Sequence, residues 1–212
     1  MKNTTKLILD ELVERFPALS VVEADVAAAF EIFAESYRNG GKAMFCGNGG
    51  SCSDSDHIVG ELMKCFRKAR PIGGAQKEAL LQYGEEGAHL VASLEGGLPA
   101  ISLCNHNALS TAFINDKDPL LVYAQQLQGY GNPVDVLMAI TTSGNAKNCK
   151  YAAMVAKAKG MKVIGLTGAR ESALSALADV TIRVPDTETF KVQEYHLPIY
   201  HALCAMLEEE FF

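Results

Sequence analysis

Two groups able to move a proton or hold a metal stand close together early in the chain. His57 and Glu61 are four residues apart, just beyond the turn Gly47-Asn48-Gly49-Gly50-Ser51. On a helix that spacing puts both on one face, where they can bind one cation or act on one substrate; it is also a common spacing for solvated surface pairs. A second set lies near the C-terminus, in Gln193-Glu194-Tyr195-His196-Leu197-Pro198-Ile199-Tyr200-His201. Here polar groups interrupt an otherwise apolar helical stretch, and His201 has a plainer reading as a satisfied core histidine. Residues eight apart lie about 12 Å apart along a helix axis. Gln193 and His201 therefore meet one ion only through long reach, a kink at Pro198, or a neighbouring subunit.

Two turns have the chemistry of anion cradles. One is Gly47 to Ser51; the other is Thr141-Thr142-Ser143-Gly144-Asn145. Glycine lets the main chain approach an anion and turn its N–H groups inward. Hydroxyls add donors, and a following helix adds its positive end. One such turn alone is more simply a capped helix start. Two of them, both bearing hydroxyls, point to a phosphate. Neither is followed by GK[ST] and neither matches GxGxxG, so a nucleotide is the weaker idea.

Elements must position these groups. Apolar spacing predicts helices over 4–15 and 22–38, a strand over 42–46 and a helix over 53–67. Strands follow at 99–103, 134–140, 161–166 and 180–184. Between and after them come helices near 108–115, 119–128, 146–159, 172–178 and 190–210. Short apolar strands alternating with helices predict an α/β fold with a parallel sheet covered on both faces. The glycine-rich stretch 71–98 reads as an excursion from the sheet, with one helix near 85–94, and as a lid if it folds over the site. No repeat or linker marks a second domain, so residues 1–212 are expected to form one.

Composition narrows the function. The chain has 49% hydrophobic and 21% charged residues and a net charge of −6. Without a basic run it offers no nucleic-acid groove. No apolar run is long enough to span a bilayer. Charges interrupt the N-terminal apolar pattern, so it does not read as a secretory signal. Six scattered cysteines without a CxxC pair predict buried fillers and a cytoplasmic protein.

Taken in order, CGNGGS at Cys46 to Ser51, His57-x-x-x-Glu61, Asn115-Asp116, TTSGN at Thr141 to Asn145 and VP…QExH…H from Val184 to His201 resemble the sugar isomerase (SIS) domain of phosphoheptose isomerase type. The resemblance covers nearly the whole chain. It implies a flavodoxin-like three-layer sandwich with a five-stranded parallel sheet, and a homotetramer with interfacial sites. It implies interconversion of sedoheptulose 7-phosphate and D-glycero-D-manno-heptose 7-phosphate through an enediol. Asn48, Gly49, Gly50, Ser51, Asn115, Asp116, Thr141, Thr142, Ser143 and Gln193 would then contact the phosphorylated sugar. His57, Glu61, Gln193 and His201 would fall at zinc-site positions, with Glu61 and His201 also placed as acid and base. Both assignments of Glu61 stay open, because a metal-bound carboxylate is a weaker base. Ala146 departs from the family's phosphate-holding serine, and 71–98 has no counterpart in it. Two rivals follow: a non-catalytic relative of the type that associates with a replication initiator, and an isomerase or sensor of another sugar phosphate. The presence of both Glu61 and His201 favours the enzyme.

Overall fold

The computed structural model describes residues 1–212. Helical spacing at the N-terminus produces α1 (Asn3–Arg15) and α2 (Glu23–Arg38), joined by a 3-10 turn over Pro17–Val22. Leu9, Leu12, Val26, Phe30 and Phe33 are buried on their inner sides, the one-sided pattern of helices that cover a sheet. The chain then runs through β1 (Ala43–Gly47), α3 (Gly50–Met63), α4 (Gly74–Leu81), α5 (Gly84–Ser93) and β2 (Ala100–Ser102). It continues with α6 (Asn107–Asp116), α7 (Val122–Tyr130), β3 (Val136–Ile140) and α8 (Lys147–Ala158). The last elements are β4 (Lys162–Thr167), β5 (Val180–Arg183) and α9 (Thr189–Phe211).

The five strands are all parallel and lie in the order β2-β1-β3-β4-β5. Both faces are covered, so β1 and β3 are buried at every residue, as parallel strands between two helical layers must be. Phe45, Met138, Ile140, Ile164, Leu166 and Ile182 face a core shared with α1, α2, α3 and α9. Met44, Cys46, Leu137, Ala139 and Val163 face the thinner core under α7 and α8. Each fully buried Leu, Ile or Phe contributes about 1.5–3 kcal/mol of transfer free energy. This is the three-layer, flavodoxin-like arrangement expected from the sequence.

Three expectations need correction. The helix after the first loop begins at Gly50, not 53, and stops at Met63. It stops because the N–H groups of Phe66, Arg67 and Lys68 are taken by the Glu208 carboxylate at 2.7–3.1 Å. Residues 172–178 form turns, not a helix. There the Ser172 and Ser175 side chains bind local backbone N–H groups, which competes with helical bonding. The 71–98 stretch holds two helices rather than one. A Cβ at Gly87 would stand 1.8 Å from the Leu80 carbonyl oxygen, so only glycine lets α5 pack so closely on α4. This hairpin buries nothing on α4 and only Gly87 on α5. Its neck is a single antiparallel bridge, Pro71 to Glu95.

Candidate functional site

In an open α/β sheet the ligand crevice lies beyond the carboxyl ends of the strands, where the strand order reverses. Here that point falls between β1 and β3. Gly47 at the end of β1 is in register with Ile140 at the end of β3. The two suspected cradles follow those residues directly, so they stand side by side on one rim. Each turns on a left-handed glycine, Gly49 at φ 57° and Gly144 at φ 68°. Neither α3 nor α8 has a side-chain cap; Ala146 stands at the N-cap of α8 with nothing to donate. The hydroxyls of Ser51, Thr141 and Thr142 make no hydrogen bond within the chain, and Ser143 Oγ accepts only from the Asn145 N–H at 3.2 Å. These donors are free for an oxyanion.

Not every expected contact is assembled here. The side-chain amides of Asn48 and Asn148 bind each other reciprocally at 3.0 and 2.7 Å, tying the first loop to the start of α8. Gln193, near the start of α9, lies over Gly50: an added Cβ would meet its amide nitrogen at 2.5 Å. Asn115 and Asp116 end α6 on the surface, and their side chains bond only to each other, at 2.8 Å. Sequence reasoning missed Arg170. It follows β4 on the same rim and lines a cavity of about 130 Å³ with Thr142, Ser143 and Asn145. A cation just past a strand end was the signal.

The proton-handling groups meet where α3 crosses α9. His57 Nε2 stands 3.2 Å from Glu61 Oε1. The His57 and His201 rings lie edge to face with centroids 5.0 Å apart. Burial holds His201 below its usual imidazole range, helped by His57 and opposed by Glu61. Its Nε2 is buried without a hydrogen-bond partner. Behind this group the Tyr200 hydroxyl lies 3.1 Å from His57 Nδ1 and 3.3 Å from Asp54 Oδ1. Burial pushes Asp54 up, and the Tyr200 hydroxyl and His57 draw it back. Asp54 and Tyr200 were also missed, although Asp54 is three residues before His57 and Tyr200 immediately precedes His201. Two imidazoles and a carboxylate are donors of the kind zinc takes, and the orphaned His201 nitrogen suits such an ion. Gln193 stands apart from the three. Within the single chain no three His, Cys, Asp or Glu side chains are grouped to hold a metal.

A cleft of about 440 Å³ opens on His201 between α1 and α9, with Leu12, Phe66 and Pro198 in its walls. The C-terminal end of α3 is fixed from beneath. Arg70 and Glu208 are buried together, Nε to Oε1 at 2.8 Å. Arg70 also donates to the carbonyls of Leu62 and Glu61 at 2.7 and 3.1 Å. Four cysteines surround the first loop without forming a disulfide. Burial and neighbouring Cys104 push the Cys52 thiol up to about 12, and Cys149 together with burial raises Cys46, so these thiols are neutral packing groups.

Comparison with known proteins agrees with this geometry. One SIS-domain family model matches residues 81–168 and another matches residues 129–208. Phosphoheptose isomerase of Rhodospirillum rubrum is 35% identical over 87% of this chain and 85% of its own. That of Aneurinibacillus thermoaerophilus is 34% identical over 92% and 83%. The solved phosphoheptose isomerase of Neisseria gonorrhoeae superposes with a TM-score of 0.74 at 27% identity, covering 94% of each chain. That of Francisella tularensis gives 0.73 at 27% identity, covering 99% of this chain and 100% of its own. With paired anion loops at the reversal of strand order and likeness along nearly its full length, the chain belongs to the phosphoheptose isomerase family of SIS-domain proteins.

Proposed function

We propose that the protein is a ketose–aldose isomerase that converts sedoheptulose 7-phosphate to D-glycero-D-manno-heptose 7-phosphate. The observation that carries this is the common rim: two anion cradles beside each other, with Glu61 and the two imidazoles one helix length away. Ser51 and Glu61 are separated by about 15 Å of α3 rise, and helical side chains lean back toward the N-terminus. An extended seven-carbon chain spans about 8 Å at roughly 1.3 Å per projected bond, and its phosphate adds a little more. A heptose phosphate comes closer to spanning that interval than a triose phosphate does.

In the mechanism, Ser51, Thr142, Ser143, the N–H groups of Gly49 and Gly50 and the α8 N-terminus hold the phosphate, with Arg170 adding a positive charge at its edge. Glu61 takes the proton from the carbon beside the carbonyl. His201 donates a proton to the carbonyl oxygen, giving an enediol. Return of the Glu61 proton to the adjacent carbon, with His201 taking the proton of the other hydroxyl, yields the aldose. Such acid–base groups contribute about 10²–10⁴-fold each. His57, Glu61 and His201 are the residues that would hold a zinc ion, while Gln193 lies apart from them within the chain, against Gly50; when bound, the ion would supply polarisation of the carbonyl. Asn115 and Asp116 are assigned to the site of a neighbouring copy in a homotetramer, which accords with their bonding to nothing in their own site.

The test is Glu61→Gln, assayed by product detection on triose, pentulose, hexulose and heptulose phosphates. Turnover is expected on the heptulose in the unchanged protein and lost in the variant, with the circular-dichroism spectrum preserved. Full activity in the variant removes Glu61 from the mechanism. Inertness of the unchanged protein toward every sugar removes the enzyme reading.

A further inference from the structure

The mechanism leaves one buried hydroxyl unexplained. Tyr200 is 2% exposed, and its oxygen lies between Asp54 Oδ1 at 3.3 Å and His57 Nδ1 at 3.1 Å. Its ring stands edge-on to both His57 and His201, with centroids 5.5 and 5.0 Å away. A phenol has one proton to give. A carboxylate can only accept, so that proton goes to Asp54, and the phenol oxygen must accept from His57. His57 Nδ1 therefore carries hydrogen, and a neutral imidazole then leaves Nε2 bare. Yet Nε2 lies 3.2 Å from Glu61 Oε1. A lone pair facing a carboxylate at that distance repels unless a positive centre sits between them.

We propose that Tyr200, anchored by Asp54, is a positioning residue that fixes His57 as the Nδ1–H tautomer and so keeps a seat for one proton or one cation between His57 Nε2 and Glu61. The hydroxyl orients the imidazole from behind, as outer partners of ligating histidines commonly do. It touches neither sugar nor phosphate. Without it His57 takes the opposite tautomer, donates Nε2–H to Glu61, and fills the seat with its own hydrogen. Glu61 is then a hydrogen-bonded, less available base, and a cation must displace that hydrogen to enter. The effect on turnover rests on the isomerase reading above; the tautomer does not.

The experiment is long-range ¹H–¹⁵N correlation on the full-length protein labelled at its 5 histidines, with His57→Gln to assign the signal. The unchanged protein is expected to show hydrogen on His57 Nδ1, with Nε2 free of hydrogen or sharing the one proton of the seat with Glu61. Tyr200→Phe keeps the ring and removes only the hydroxyl, and should move the proton to Nε2. Asp54→Asn keeps the hydroxyl but turns its proton toward His57, and should cause the same change. Titration with zinc chloride alone should show affinity about 10–100-fold weaker in Tyr200→Phe. Its kcat on the heptulose phosphate should fall by a similar factor with KM nearly unchanged. A His57 that carries its only ring proton on Nε2 in the unchanged protein, or an Nδ1–H signal that survives both substitutions, overturns the proposal even if the protein is an isomerase. An inert protein whose His57 tautomer shifts as described leaves it standing while sinking the isomerase reading.

Discussion

Replacing Arg70 by methionine should be among the most damaging single changes outside the sugar site. The guanidinium is wholly buried and makes three polar contacts, to Glu208, Leu62 and Glu61. It also lies 4.7 Å from the centre of the Phe212 ring. Methionine keeps much of the volume and none of the hydrogen bonds. Breaking a buried ion pair by removing one partner costs about 3–5 kcal/mol, because the other charge is stranded. Glu208 keeps three backbone N–H donors, which puts its share near the lower figure. The Leu62 carbonyl still accepts from the Leu98 N–H at 2.9 Å, so its loss is small. The Glu61 carbonyl has no second donor, because the Cys65 N–H that would close the helix bonds Glu95 instead; an unsatisfied carbonyl adds about 1 kcal/mol. The sum is about 4 kcal/mol, a large part of the about 5–15 kcal/mol that holds a typical domain folded. With a urea slope of about 2 kcal/mol per molar, the unfolding midpoint should fall by about 2 M. The assay is urea unfolding followed by far-ultraviolet circular dichroism, at one protein concentration so that subunit linkage stays constant. Arg70→Lys should fall between, since one ammonium cannot reach all three acceptors. A shift below about 0.5 M for the methionine variant, with the slope unchanged, would refute this account of how α3 is held.

Acid should act through His196. Burial lowers it from 6.5 to about 4, so the unfolded chain binds a proton over that interval and the folded chain does not. Its contribution is therefore full above pH 6.5 and declines as pH falls toward 4, by about 3 kcal/mol in all; His196→Leu should flatten the unfolding midpoint over that window, and an unchanged slope would contradict it. Glu208 works further down: its pKa is depressed, by hydrogen bonds that outweigh its burial, so its stabilisation is present above the usual carboxylate range and is lost as pH drops through the lowered value. Gly50→Ala should push the Gln193 amide aside and raise KM several-fold, and combining it with Gln193→Ala should cost less than the sum, since the two share one contact; full additivity would separate them. Removing residues 74–93 and joining Gly73 to Leu94 through a short turn should leave the sheet folded, with a cooperative thermal transition within a few degrees of the original; loss of that transition would show that the hairpin supports the core.

Much of this was legible before any coordinates. The strands announced themselves because parallel strands buried on both sides are short unbroken apolar runs, and the two cradles because glycine and hydroxyls crowd the strand ends. His57 and Glu61 met as their spacing required. Other features depended on tertiary partners. Helix α3 has no breaker after Met63; it ends because Glu208, 142 residues further on from Phe66, captures the next N–H groups. Helix α4 escaped notice because it has no buried face to give it an apolar stripe. The 172–178 stretch has helical spacing, but its serines found backbone donors closer at hand. Nothing in the sequence singles out Tyr200; only the approach of α3 to α9 brings its hydroxyl to His57.

The hairpin of α4 and α5 bears on how the polypeptide might be rewired. Because its two ends come back to one paired position, Pro71 and Glu95, the backbone there is a closed detour whose length matters little to the sheet. New chain ends opened between Leu81 and Gly84, with the original termini joined, would leave every strand in its present neighbourhood. Because the hairpin buries almost nothing of its own, a foreign domain spliced at the same tip would break no core contact, making that spot a natural socket for a tag or a reporter.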